Sequence, residues 1–139
     1  MKIKLFENGK IPTYAHKSDA CCDCYANVGS APFIIKPMET KKIPLGFAIQ
    51  LENEMEAVIR PRSGLSLKGI LAHIGTIDSG YTGEVAAIIT NLSGKNFTVT
   101  TGDKICQMKI QKANQHSFEE VDALEETDRG DNGFGSTGL

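Results

Sequence analysis

Residues 43–51, Ile43-Pro44-Leu45-Gly46-Phe47-Ala48-Ile49-Gln50-Leu51, alternate without a break. In an extended chain Ile43, Leu45, Phe47, Ile49 and Leu51 share one side, and Pro44, Gly46, Ala48 and Gln50 share the other. A period of two is the pattern of a half-buried β-strand, and Pro44 predicts that the strand starts at an edge or a bulge. Met55, Ala57 and Ile59 repeat the pattern after Glu52-Asn53-Glu54. The two runs together predict a hairpin.

Working outward, the same period recurs. Ile3 and Leu5 alternate with Lys2 and Lys4 up to the turn pair Asn8-Gly9. Residues 19–26 read as extended chain, with Cys22 and Cys24 on one face and Cys21, Asp23 and Tyr25 on the other. Val85 to Leu92 is apolar enough to predict a strand buried on both sides. Phe97 and Val99 alternate with threonines, Thr101-Gly102-Asp103 turns, and the next strand sets Cys106, Met108 and Ile110 opposite Gln107. Only Arg60 to Gly69 departs from this pattern, with Ser63 placed to cap a short helical turn that Gly69 stops. Many short strands with Gly, Pro and Asn between them and almost no 3.6-residue period predict an all-β barrel, sandwich or jelly roll. The chain shows no internal repeat.

The 139 residues fit one domain with one core. Seventeen acidic against fifteen basic residues give a net charge of −2, and no Lys/Arg block supplies a nucleic-acid footprint. The N-terminus turns polar before a signal-peptide core can form, and no run approaches the roughly 18 apolar residues of a membrane span. These features predict a soluble, cytoplasmic protein. Cys21, Cys22, Cys24 and Cys106 are too crowded for a disulfide framework and lack the second pair that a structural zinc site needs. Their expected role is as small, reduced core residues.

Three stretches carry polar groups in patterns that chemistry uses. Gly75-Thr-Ile-Asp78-Ser-Gly-Tyr81-Thr-Gly83 sets an acid and a tyrosine three residues apart in a glycine-bounded loop, although Asp-Ser-Gly alone is ordinary turn chemistry. The helix start at Arg62-Ser63-Gly64 offers free N–H groups beside a cation, which favours an anion. After an acid-rich connector at 119–128, residues 129–139 form a glycine-rich tail that cannot bury enough surface to order itself. Its Gly133-x-Gly135-x-x-Gly138 string fits a dinucleotide-binding pattern, but no strand precedes it and no helix can follow. The tail does carry Arg129, Phe134, Ser136 and Thr137, groups able to stack on a ring and meet phosphate as a lid closes.

Five blocks in order bring these features together: Asp19-Ala-Cys-Cys-Asp23-Cys, Pro61-Arg-Ser-Gly-Leu65, Gly75 to Gly83, Gly102-Asp-Lys-Ile-Cys-Gln-Met108, and Arg129 to Gly138. At these separations they resemble the trimeric, all-β deoxyuridine triphosphatase (dUTPase) family over nearly the whole chain. The resemblance implies a jelly-roll-like domain over 1–128, with one short helix, and a flexible lid over 129–139. It implies hydrolysis of dUTP to dUMP and pyrophosphate by in-line attack of water on the α-phosphorus. That activity keeps uracil out of DNA and supplies dUMP for thymidylate synthesis. Asp78 is the implied catalytic base. An aspartate is a weak base, with a reference pKa of about 3.9, so positioning and charge neutralisation must carry much of the rate.

The resemblance further implies Mg²⁺ as cofactor, with Asp23 orienting it through water. Arg62, Ser63, Gly64 and Gln107 match phosphate-contacting positions, and Tyr81 matches the residue that packs under deoxyribose and excludes a 2′-OH. Backbone of a hairpin from about Thr76 and Ile77 to Ala86 would read uracil. From the tail, Arg129, Phe134, Gly135, Ser136 and Thr137 would complete the site. Homotrimers of the family share each site among three chains, with blocks one, two and four from one, block three from a second and the tail from a third. Neither nucleic acid nor membrane is an implied partner.

Four positions depart from the family pattern. Cys21-Cys22 stands where Gly-Tyr is usual, Gly80 where Asp is common, and Ala72 where some members place Asn. Two alternatives stay open on sequence grounds. One is a dUTPase-like nucleotide sensor that binds a partner protein, and the other is an enzyme related to dCTP deaminase.

Overall fold

The computed structural model describes residues 1–133. These residues form an all-β fold of eleven strands with one helical turn. A four-stranded antiparallel sheet carries Asp23, Thr76, Ile77, Asp78 and Gln107. Its order is β2 (Cys22–Tyr25), β11 (Lys104–Lys112), β6 (Met55–Arg60) and β8 (Gly75–Asp78). A second sheet orders β4 (Thr40–Pro44), β9 (Ala86–Asn91) and β7 (Ile70–Ala72). Two ribbons complete the fold, β1 (Lys2–Leu5) with β5 (Phe47–Gln50) and β10 (Phe97–Val99) with β3 (Phe33–Ile35).

The core is built from the residues that the alternation singled out. Ile43, Leu45, Phe47, Ile49 and Leu51 are all buried, packed with Ile35, Val85, Ala87, Ile89 and Val99. Each such large side chain contributes about 1.5–3 kcal/mol when fully buried. Cys22, Cys24 and Cys106 are buried among them, whereas Cys21 is half-buried. Asn91 is the one buried polar side chain among the described residues. It is satisfied by Nδ2 donating to the Ile35 and Lys95 carbonyls and Oδ1 accepting from the Ser93 N–H and hydroxyl.

The structure corrects four local expectations. Residues 43–51 are two strands in different sheets, parted at Gly46, whose φ of +70° is left-handed. At that kink the turn after β1 crosses Gly46 backbone to backbone. The Phe6 N–H donates to the Gly46 carbonyl at 3.0 Å, and a Cβ on Gly9 would lie 1.9 Å from the same oxygen. Glu52–Glu54 does turn, but β5 pairs with β1 and β6 with β11 and β8, so no hairpin forms there. β9 is buried on one face only, with Ile88 49 % exposed. Finally, Arg62 rather than Ser63 precedes the helix α1 (Ser63–Ser66), and no side chain caps it.

Candidate active site

Asp23 is held by its backbone before its side chain acts. It exchanges two main-chain hydrogen bonds with Thr13, at 2.8 and 3.1 Å, and lies opposite Gln107 in the β2–β11 ladder. Its carboxylate meets two cations, Arg62 Nε at 3.1 Å on Oδ1 and Lys104 Nζ at 2.8 Å on Oδ2. The hydrogen bond and charge of Asp23 hold the Lys104 ammonium above the ordinary lysine range. Arg62 is anchored again through Nη1, which donates to the Lys104 carbonyl at 2.7 Å, and Gln107 Nε2 donates to the Pro61 carbonyl at 2.8 Å.

Asp23, Arg62 and Gln107 line an open cleft of about 730 Å³ with Asp19, Cys21, Ser63, Gly64 and Lys68, while Lys104 lines a neighbouring recess with Tyr25 and Arg62. Ser63 and Gly64 are exposed at its edge, at the start of the helical turn whose first free N–H groups they carry. The cleft therefore combines fixed cationic charge with outward amides, a combination suited to a polyphosphate.

Asp78, Thr76, Ile77, Tyr81 and Ala86 gather elsewhere, around a recess of about 280 Å³ that also includes Lys42, Glu84, Val85 and Ile88. Asp78 ends β8 exposed, and its carbonyl accepts the Tyr81 N–H at 3.0 Å, closing a tight turn. The Tyr81 hydroxyl donates to the Glu84 carbonyl at 2.9 Å, so both ends of the residue are tied. Because β8 pairs with β6 while β9 pairs with β4 and β7, Thr76 to Ala86 is an open connection between two sheets rather than a paired hairpin.

Gly83 is required for the placement of the Tyr81 ring. A Cβ there would lie 2.5 Å from the hydroxyl oxygen and 2.7 Å from Cζ. Gly83→Ala is expected to displace the ring with little loss of stability, since Gly83 lies on a partly exposed turn. For a pocket in which Tyr81 meets the sugar, discrimination between dUTP and UTP should then fall by about tenfold, the scale of one lost packing contact. Parallel kcat/KM measurements on the two nucleotides check this.

The two clusters do not meet within one chain. Asp78 lies opposite Glu56 and Gln107 opposite Arg60, on either side of β6. That register separates them by about 13 Å along the strands and about 10 Å across two strand spacings. Arg129 is described, with Nε donating to the Asn132 carbonyl at 2.9 Å. Phe134, Gly135, Ser136 and Thr137 lie outside the described residues.

Among the described residues no three His, Cys, Asp or Glu side chains converge as metal ligands. The Asp23 carboxylate, with Asp19 turned to the His16 N–H, fits a hydrated ion that brings its other ligands with a phosphate chain, and does not fit an all-protein cage. No helix among the described residues is long and apolar enough to cross a membrane.

Lys104 is the functional candidate that sequence alternation misses. Regular alternation puts residues 104 and 106 on one face, but a bulge shifts the register between them, so that Lys104 opposes Tyr25 while Cys106 opposes Cys24. The extra residue, buried Ile105, turns Lys104 to the face shared by Asp23, Tyr25 and Gln107.

Known proteins share both the fold and the sequence. Staphylococcus bacteriophage 80alpha dUTPase, in a complex with dUpNHpp, superposes with a TM-score of 0.90 at 23% identity, covering 99% of this chain and 98% of that one. The dUTPase of phage phi11 of S. aureus, in a variant described with a structural Mg(II) ion, gives 0.81 at 22% identity, covering 90% and 98%. Sequence relatives are nearer. The deoxyuridine 5′-triphosphate nucleotidohydrolase of Orientia tsutsugamushi is 47% identical over 148 residues, covering all of this chain and 99% of its own. That of Finegoldia magna is 42% identical over 143 residues, covering 99% of each. The family model described as dUTPase matches residues 7–138, and with relatives of this identity along its full length the chain belongs to the dUTPase family.

Proposed function

We propose that this protein hydrolyses dUTP to dUMP and pyrophosphate, with Asp78 as the base. The observation that carries this reading is the tight turn that fixes an exposed carboxylate and an aromatic ring at one small recess. The curated relatives named as deoxyuridine 5′-triphosphate nucleotidohydrolases support the substrate. In this reading backbone between Thr76 and Ala86 meets the uracil edge, where a cytosine would leave buried groups unpaired. Tyr81 packs against the deoxyribose.

Arg62, the Ser63 and Gly64 amides and Gln107 hold the phosphates. Asp78 orients a water and accepts its proton as the water oxygen bonds to the α-phosphorus. The bond from that phosphorus to the bridging oxygen breaks, and pyrophosphate leaves with the electron pair. Mg²⁺ bound with the triphosphate would neutralise charge on its oxygens, and Asp23 would hold the ion through water.

The roughly 13 Å by 10 Å separation of Asp78 from Gln107 within one chain favours a site assembled between copies. In a homotrimer the cationic cleft of one chain faces the Asp78 recess of a second, and the segment from Arg129 onward closes from a third. Such a protein would limit uracil incorporation into DNA and provide dUMP for thymidylate synthesis. Hydrolysis in H₂¹⁸O tests the reaction, because attack at the α-phosphorus puts the label in dUMP. Label in pyrophosphate, or none released from dUTP at all, contradicts it.

A further inference from the structure

The Asp23 carboxylate has one cation more than its charge requires. Arg62 and Lys104 each bind one of its oxygens, so the three groups together carry one net positive charge. The two partners are held with different firmness. Arg62 is fixed at two points, on Asp23 and on the Lys104 carbonyl. The Lys104 ammonium ends a flexible stem, its side chain 41% exposed against 16% for Asp23. It also lies 5.9 Å from the Tyr25 ring centroid, a ring that the Lys10 ammonium approaches to 5.4 Å. The Asp23 backbone is paired on one side with Thr13 and on the other with Gln107, and Arg62 keeps hold of Oδ1.

We propose that Lys104 is a positioning residue: it holds the Asp23 carboxylate in the nucleotide-free chain and yields Oδ2 to the water shell of a divalent cation arriving with nucleotide. This rests on the proposed handling of dUTP with Mg²⁺. The geometry gives Lys104 two effects of opposite sign. Its charge attracts a polyphosphate in the absence of metal, and it repels a divalent cation drawn to the same carboxylate. A lysine that merely braced the strands would move both quantities in one direction, through loss of folded protein.

The test is calorimetric binding of dUpNHpp to the full chain, with EDTA and across a Mg²⁺ titration, for the unsubstituted protein, Lys104→Gln and Lys104→Arg. Lys104→Gln should weaken metal-free binding roughly three- to tenfold and lower the half-saturating Mg²⁺ concentration by a similar factor, the scale of one partly exposed ion pair. Lys104→Arg, which keeps the charge, should stay near the unsubstituted protein. In an Asp23→Asn background the Mg²⁺ effect of Lys104→Gln should vanish, because the competition acts through that carboxylate. An unchanged Mg²⁺ requirement in Lys104→Gln, or a shift that persists without the Asp23 charge, overturns the inference. Failure of the unsubstituted protein to bind dUpNHpp at any Mg²⁺ concentration overturns the proposed function, and the inference with it.

Discussion

Asp78→Asn is expected to lower kcat for dUTP by about 10²- to 10⁴-fold, the usual contribution of a positioned general base, while dUpNHpp binding stays within a few-fold. The physical basis is local. Asp78 projects from the end of β8 into solvent, and the hydrogen bond that fixes its turn uses its main-chain carbonyl, not its carboxylate. Asparagine therefore keeps the turn, the recess and the Tyr81 position while removing the proton acceptor. Single-turnover rates set against dUpNHpp affinity separate the two effects. A variant turning over at near the unsubstituted rate would exclude Asp78 as the base. Equal loss of binding and turnover would instead make it a residue of the nucleotide pocket.

Gly9→Ala is expected to have the largest effect on stability, although Gly9 lies far from any catalytic group in the sequence. Its Cβ would lie 1.9 Å from the Gly46 carbonyl oxygen and 2.8 Å from the carbonyl carbon, both backbone atoms. Gly46 cannot retreat easily, since its Cα supports the kink between β4 and β5 and it packs against the Asn27 side chain. Asn27 in turn donates to the Glu7 carbonyl at 3.0 Å. Overpacking against backbone at such a crossing costs about 3 kcal/mol or more, which corresponds to a fall in Tm of roughly 10 °C for a chain of this size. Thermal unfolding at matched protein concentration checks this, with Gly94→Ala as control because its added Cβ meets nothing within 4 Å. A Gly9→Ala protein as stable as that control would mean the crossing is looser than its distances imply.

Much of the fold was legible because side-chain period two survives whatever sheet a strand joins. The alternation found the buried set of Ile43 to Leu51 but not the division at Gly46, because a left-handed glycine bends the chain without disturbing which side chains face inward. Pairing partners were less legible. Glu52–Glu54 has turn composition, yet the flanking strands find partners more than forty residues away in sequence in β1 and β11, and nothing in a local window encodes that. The two-sided burial expected of Val85 to Leu92 fails at Ile88, whose apolar side chain no element among the described residues covers.

The site divides along the same line. Asp23 and Gln107 were correctly placed on faces opposite the buried cysteines, and the structure sets them side by side across β2 and β11. Asp78 and Tyr81 were recognisable as a pair three residues apart. The Lys104 contact with Asp23 was hidden by the bulge at Ile105, which shifts the face on which residue 104 emerges. Gly80 leaves the turn intact. Its position is exposed, with open space around it, and the hydrogen bond from Tyr81 to Asp78 does not depend on it.

The most direct test of the proposed activity is pyrophosphate release with Mg²⁺ from dUTP, dTTP, dCTP and UTP, each followed for base deamination as well. Rapid release from dUTP, little from the other three and no deamination of dCTP is the predicted result. Absence of dUTP hydrolysis, or conversion of dCTP to a uracil nucleotide, would contradict it.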